Sequence, residues 1–154
     1  RLFAAAHEMG VHTALDTNGF LGPRLSDEEL ERIDLVLLDI KAWDAEHHRH
    51  LTGKDNSAVL EFARRLAARK RPCWLRFVLV PGLTDDPRDI SQIAKFVAGL
   101  GNVERVDVLP FHQMGRFKWK ELGLDYTLQD ITPPAQEVIQ RVIGQFAKEG
   151  LKAY

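Results

Sequence analysis

The amino-acid sequence predicts an α/β fold in which parallel strands alternate with helices. Each of several short apolar runs is followed by a segment with helical periodicity. One run, residues 34–41, is almost continuously apolar, as in strands covered on both faces of a parallel sheet. Each run also ends abruptly in polar, glycine or proline residues. These features predict either an open doubly wound sheet or part of a βα barrel.

Bulk composition agrees with one domain, residues 1–154, and excludes several classes of protein. The chain is 45% apolar and has a formal net charge of −1, so nothing indicates nucleic acid or an anionic membrane as partner. No apolar run reaches the roughly 18 residues that a membrane span needs. Cys73 is the single cysteine, which excludes an internal disulfide. We expect a cytoplasmic protein.

The first part of the chain predicts a helix and a strand. Residues 1–10 form a helix ended by Gly10, and the apolar run 11–15 is the first strand. This helix lacks both an N-cap residue and an initiator Met, so we expect the chain to be cut from a longer protein. Ser26 and Glu29 have the capping-box spacing and begin the next helix.

The middle of the chain repeats the strand–helix unit twice. The run 34–41 is the second strand, residues 46–50 are not assigned, and Asn56 or Ser57 begins a helix that extends to about Lys70. The run 73–80 is the third strand. Residues 85–89 lead into a helix that ends at 101–102.

The last part of the chain predicts a fourth strand and a cover. Residues 103–109 form that strand, and the amphipathic segment 113–131 is expected to pack over the sheet or to cover its mouth. Thr132 is predicted to cap a final helix with Pro133 in its first turn, and residues 151–154 form a last short strand. The chain therefore contains about four parallel βα units and a C-terminal helix.

The unusual polar side chains all lie at or near the carboxyl ends of predicted strands, where ligands bind in α/β folds. They are Asp16, Thr17, Asp39, Lys41, Arg76 and His112. Carboxylates from neighbouring strands repel unless a cation or proton lies between them. We therefore expect a bound metal ion or Lys41 near Asp16 and Asp39, and a purely structural Asp–Lys pair is the alternative.

Three further alternatives stay open from the residues alone. Lys41 at a barrel strand end would also suit a Schiff-base lyase. Arg76 either pairs with a carboxylate or binds an anionic ligand group, because burying it unpaired is costly. His112 either contacts a ligand or bonds to the backbone of its own loop.

Three other features carry less weight. His47, His48 and His50 do not have the spacing of a metal chelate on an unassigned segment. The alternation of Arg116, Lys118 and Lys120 with aromatic residues has too few charges for nucleic acid, and a lid or partner surface is the better interpretation. Cys73 begins a strand at the end opposite the site and is expected to be core.

An ordered set of motifs over essentially the whole chain resembles the pyruvate formate-lyase activating enzymes. The set is LDTNG at 15–19, DLVLLDIK at 34–41, LTG at 51–53 with Asn56, RFVLVPG at 76–82 and LPFH at 109–112. The resemblance implies a partial (β/α) barrel of the radical S-adenosylmethionine type. It also implies an oxidoreductase that uses S-adenosylmethionine and a [4Fe–4S] cluster to make a radical that removes hydrogen from a backbone glycine.

The resemblance also assigns roles to individual residues. Those expected to contact the cofactor are Asp39, Ile40, Lys41, Arg76, Val78, Leu109 and His112. Those expected to bind a monovalent cation are Asp16, Thr17, Leu37 through its carbonyl, and Asp39. The implied partners are a glycyl radical enzyme such as pyruvate formate-lyase, and an electron donor such as flavodoxin or ferredoxin.

The departures from the family pattern limit what the chain is expected to do alone. The C-x-x-x-C-x-x-C loop that holds the cluster and the family's Gly-Gly-Glu segment are absent. We expect the chain to be the C-terminal two-thirds of such an enzyme, inactive alone, with an exposed sheet edge that favours a non-native dimer. A Schiff-base lyase and a non-catalytic protein-binding module remain the alternatives.

Overall fold

A computed structural model describes residues 2–154, and Arg1, where the predicted first helix begins, lies outside the described residues. Four parallel strands form one sheet in the order β1-β2-β3-β4. The strands are Ala14–Thr17 (β1), Leu35–Asp39 (β2), Cys73–Leu79 (β3) and Val103–Pro110 (β4). The helices are Leu2–Glu8 (α1), Asp27–Glu31 (α2), Ala45–Thr52 (α3), Ser57–Ala68 (α4), Pro87–Leu100 (α5), Arg116–Glu121 (α6) and Gln136–Lys148 (α7).

The predicted strand–helix alternation is confirmed, with one shift at the first strand. This strand was predicted at 11–15 but spans Ala14–Thr17. The amide of Val11 instead donates to the carbonyl of Ala6, closing the turn that ends α1, with Gly10 at φ +69°. The predicted capping box at Ser26 is present and begins α2.

Residues 46–50, which the sequence left unassigned, lie in helix α3. Asp44 caps this helix, since its carboxylate accepts from the amide of His47 at 2.7 Å. The short strand predicted at 151–154 is reduced to an isolated parallel bridge, in which Ala153 pairs with Val106 of β4. The Val106 amide donates to the carbonyl of Lys152, and the Val108 amide donates to that of Tyr154, both at 2.9 Å.

The predicted start of the final helix is wrong. Thr132 does not cap it; α7 begins at Gln136 with Ala135 in the N-cap position. Steric conflict with a following proline disfavours helical backbone at the preceding residue. Because Pro133 and Pro134 are consecutive, both Thr132 and Pro133 are kept out of the helix.

The hydrophobic core and the helices α2, α4, α5 and α7 that contribute to it lie on one face of the sheet. Alternate residues of β2 and β3 are buried there, among them Val36, Leu38, Leu75 and Phe77, together with apolar residues of α2, α4, α5 and α7. The intervening residues form what we term the open face and are half-buried. The expectation that residues 34–41 are covered on both faces is therefore wrong for the described chain. A sheet covered on one side only is the wall of a partial barrel, not a doubly wound sheet.

A close backbone approach fixes the connection between β1 and α2. Gly22 lies against the ring of Phe62 in α4, and a Cβ added at Gly22 would be 2.1 Å from the Phe62 Cγ. No helix within residues 2–154 has both the length and the apolar content to cross a membrane.

Candidate functional site

The predicted site residues gather at the C-terminal edge of the sheet and on its open face. Asp16 and Thr17 end β1, and Asp39 ends β2. The parallel register places Asp16 beside Leu37, Asp39 beside Arg76, and Val78 beside Leu109. The topology therefore brings residues that are far apart in the sequence onto neighbouring strands, as predicted.

Arg76 pairs with a carboxylate, which is one of the two alternatives that the sequence left open. Its Nη1 lies 2.5 Å from Oδ2 of Asp16, so the guanidinium reaches across β2 to the outer strand. The Asp16 side chain is 59% exposed and that of Arg76 is 29% exposed, so the pair is accessible from solvent. A partly exposed ion pair of this kind adds little stability.

Asp39 and Lys41 form a second ion pair, with Lys41 Nζ donating to Oδ2 of Asp39 at 2.8 Å. The two residues lie two apart at the end of β2 and share a face, as the sequence predicted. The other carboxylate oxygen, Oδ1 of Asp39, is buried and accepts no hydrogen bond from any described residue. A buried carboxylate oxygen without a donor is costly, so this atom is suited to receive one from a bound group.

The four residues predicted to bind a monovalent cation do not all face the same way. Asp16 and Asp39 point to the open face, but Thr17 is in register with the buried Leu38, so its side chain lies on the helix-covered face. The Thr17 hydroxyl accepts from the amide of Gly19 at 3.0 Å. Residues 2–154 also hold no cluster of three or more His, Cys, Asp or Glu side chains that is suited to a metal.

Two predicted cofactor residues have side chains that are placed differently from the rest. The Ile40 side chain is 1% exposed and belongs to the core, which leaves only its backbone for a ligand. The exposed His112 bonds to its own loop, since its Nδ1 accepts from the amide of Met114 at 3.4 Å. Among the alternatives for His112, the structure contains the loop contact, and the exposed ring remains free to meet a ligand.

Asn56 and Asp89 hold the loop after Lys41 from two sides, a role that the sequence did not reveal. The Asn56 side chain is buried, and its Nδ2 donates to the carbonyls of Ala42 at 3.2 Å and Trp43 at 2.5 Å. The Asp89 carboxylate accepts from the amides of Trp43 at 2.9 Å and Asp44 at 3.0 Å. We call these four contacts the loop clamp. The sequence predicts only that Asn56 begins a helix and that residues 85–89 lead into one, so neither pattern indicates this role.

The segment 113–131 packs over the C-terminal edge of the sheet, as predicted. Gln113 anchors it, because its Nε2 donates to the carbonyls of Leu128 at 2.9 Å and Ile131 at 2.8 Å. Between this segment and the strand ends lies a pocket of about 330 Å³. Its walls include Lys41, Val78 and Val80 from the sheet side, and Trp119, Tyr126 and Leu128 from the segment.

The remaining histidines and the cysteine lie outside the site. His48 is buried in α3, where its Nδ1 donates to the carbonyl of Lys54 at 2.7 Å. Cys73 is buried at the start of β3, as expected for a core residue. Loss of hydration on burial raises the pKa of its thiol to about 12, with a further contribution from Glu104. A single buried thiol does not fit a cluster that needs three cysteine ligands.

Comparison with known proteins decides the family. The model of the radical SAM superfamily matches residues 1–96. The chain belongs to the radical SAM superfamily. The pyruvate formate-lyase-activating enzymes of Staphylococcus aureus strains USA300 and NCTC 8325 are each 45% identical to it over 146 residues. That alignment covers 91% of this radical SAM chain and 58% of each relative, so the chain spans less than two-thirds of their length.

Two solved structures confirm the partial-barrel fold of this radical SAM chain. A domain of pyruvate-formate lyase-activating enzyme from Bacteroides vulgatus is 25% identical, with a TM-score of 0.79, covering 99% of this chain and 86% of that one. Streptococcus suis SuiB bound to S-adenosylmethionine is 15% identical with a TM-score of 0.69, covering 99% and 33%, and supports the fold alone. The predicted family and fold class are confirmed.

Proposed function

We propose that this chain is the C-terminal portion of an activase that generates a glycyl radical on a partner enzyme such as pyruvate formate-lyase. The observation that carries the proposal is the 45% identity to curated activating enzymes over 91% of the chain. The site agrees with it, because the polar residues that match the family pattern lie together at one edge of the sheet. Family membership favours this reading over a Schiff-base lyase and over a non-catalytic module.

The residues present fit a bound S-adenosylmethionine. The buried Oδ1 of Asp39 lacks a donor, and the methionyl amino group and ribose hydroxyls of the cofactor are donors. Lys41, which pairs with Asp39, and Val78 line the pocket of about 330 Å³ beneath segment 113–131, and Leu109 adjoins Val78 through the register of β3 and β4. When bound, the cofactor supplies the radical that takes hydrogen from glycine. Asp39 and Lys41 would hold its polar end, and Arg76 would offer a charge to its carboxylate.

The residues of this chain do not fit the iron–sulfur cluster that the superfamily uses. Three cysteine thiolates are required, and the chain has only Cys73, which is buried away from the C-terminal edge. We propose that the cluster ligands come from another part of the full protein. An external electron donor such as flavodoxin or ferredoxin would then reduce the cluster there.

A monovalent cation between Asp16 and Asp39 stays a prediction. Each carboxylate already pairs with a basic side chain, which reduces their mutual repulsion. Cation binding would therefore require Arg76 to leave Asp16, and a thermal-shift titration with potassium and sodium chloride tests this against choline chloride.

We also propose a cytoplasmic location for the protein. We further propose that the chain self-associates through the outer edge of β1, and concentration-dependent light scattering tests this.

The activase assignment is tested by a chimera. The matching 146 residues of the Staphylococcus aureus activating enzyme are replaced by those of this chain, and the purified protein is reconstituted with iron and sulfide. With reductant, S-adenosylmethionine and pyruvate formate-lyase, we expect a glycyl radical signal in the electron paramagnetic resonance spectrum. Asp39→Asn should abolish most of it, whereas the exposed control Glu61→Gln should not.

Two outcomes would contradict the proposal in different ways. A chimera that cleaves S-adenosylmethionine but leaves pyruvate formate-lyase unchanged would exclude that partner while keeping the cofactor chemistry. A chimera that holds a reducible cluster but does not cleave the cofactor would exclude the assigned binding site itself.

A further inference from the structure

Segment 113–131, which packs over the strand ends, leaves a group of large apolar side chains exposed to solvent. The exposed fractions are 73% for Met114, 57% for Phe117, 72% for Leu122 and 54% for Leu124. Trp119 is 41% exposed but also lines the pocket, and its ring centroid lies 5.6 Å from that of Tyr126. We term the exposed residues of 114–124 the rim surface. Several large apolar side chains exposed within one short segment are typical of an interaction site.

The rim surface also carries unneutralised positive charge. Arg116, Lys118 and Lys120 lie within the six residues of α6, whose only acid is Glu121. None of the three basic side chains forms an ion pair with any residue in the range 2–154. The whole chain has a formal net charge of −1, so α6 is a positive patch on a slightly negative protein. Such a patch steers and orients a partner that is locally acidic.

The rim surface lies beside the pocket at the C-terminal edge of the sheet. α6 follows β4 at the C-terminal edge of the sheet, and Trp119 forms one wall of the pocket that Lys41 and Val78 line. A second exposed apolar pair, Phe20 and Leu21, follows β1 at the same edge. Both outer strands therefore lead into exposed apolar loops beside the site.

We propose that the rim surface is the docking site for an acidic, partly apolar segment of the protein whose glycine is activated. This inference rests on the proposed function, because it takes the substrate to be another protein. Three cations are too few for the extended phosphate contacts of a nucleic acid strand. An apolar surface with a short row of cations instead matches the hydrophobic centre and charged rim of a protein interface.

The two methionines of the chain make the test internally controlled. Met114 is 73% exposed on the rim surface, and Met9 is 78% exposed just after α1, away from the C-terminal edge. Because their exposures match, dilute hydrogen peroxide should convert both to the sulfoxide at similar rates in the free chain. Peptide mass spectrometry measures each rate with and without purified pyruvate formate-lyase, and analytical ultracentrifugation scores complex formation separately.

We expect complex formation to slow oxidation of Met114 roughly tenfold and to leave Met9 unchanged, since an interface core excludes water. The double variant Lys118→Glu/Lys120→Glu should weaken binding roughly tenfold and restore oxidation of Met114. The matched control Lys148→Glu/Lys152→Glu reverses two exposed charges elsewhere and should change neither.

Several results would overturn the proposal. A complex that leaves Met114 as reactive as Met9 would place the interface elsewhere, and the absence of any complex would also refute docking by this chain. Protection of Met114 by a single-stranded DNA oligonucleotide instead would assign the surface to nucleic acid. The chimera experiment scores cofactor cleavage without regard to this surface, so failure of the docking proposal is distinguishable from failure of the activase assignment.

Discussion

Removing the amide of Asn56 should loosen the loop that carries Lys41. The Asn56 side chain is 4% exposed and donates to the carbonyls of Ala42 and Trp43. Each hydrogen bond contributes about 1 kcal/mol net, and a carbonyl left buried without a donor costs about 1–3 kcal/mol. We expect Asn56→Ala to lower the free energy of unfolding by about 2–4 kcal/mol, a large share of the roughly 5–15 kcal/mol typical of a domain.

Urea denaturation followed by far-ultraviolet circular dichroism measures this loss. Asn56→Asp is the more specific variant, because it keeps the side-chain shape but replaces the donor nitrogen with an oxygen that repels the two carbonyls. It should be at least as destabilising as Asn56→Ala. The control is Asn18→Ala, which removes only an exposed bond to the Phe20 amide and should cost about 0.5 kcal/mol. If Asn56→Asp is as stable as the parent, or Asn56→Ala no worse than the control, the loop clamp is not the constraint described here.

Two further predictions concern packing and pH. Gly22→Ala should destabilise the chain by about 1–3 kcal/mol because its methyl group would overlap the Phe62 ring, whereas Gly144→Ala, in open space on α7, should stabilise it by about 0.5–1 kcal/mol; equal effects in thermal denaturation would contradict the close approach. Hydrogen bonds, chiefly from the backbone amide of Thr13, lower the pKa of Asp34 from 3.8 to about 2. The ionised carboxylate therefore stabilises the fold above pH 3.8, and that contribution is lost as the pH falls through about 2. Asp34→Asn should therefore be less stable than the parent at neutral pH and equally stable near pH 2, and a constant difference across that range would refute the linkage.

Short-range patterns were enough to predict the strands and part of the site. Asp39 and Lys41 are two apart at the end of a strand, and that spacing alone places both side chains on one face, where they form an ion pair. Ser26 and Glu29 similarly indicate the start of a helix, because the contacts of their capping box lie within four residues. In each case the sequence contains the whole interaction.

Features that depend on distant residues were not predicted. The carboxylate that pairs with Arg76 is 60 residues away, and strand register alone would favour Asp39, which lies directly beside Arg76 but pairs with Lys41 instead. Asn56 and Asp89 act on loop backbone, which leaves no distinctive side-chain pattern to recognise. Residues 34–41 are apolar enough for two covered faces, yet periodicity cannot say how many of those faces the described chain covers.

Because the core lies on one face of the sheet, residues that stabilise the fold are separated from residues that form the site. Val36, Leu38, Leu75 and Phe77 face the helices, whereas Asp16 and Arg76 stand on the open face and contribute little to burial. Substitution on the open face therefore alters chemistry at small cost in folding free energy. A protein only 15% identical has the same fold at a TM-score of 0.69, as expected where a fold serves as a scaffold for different reactions.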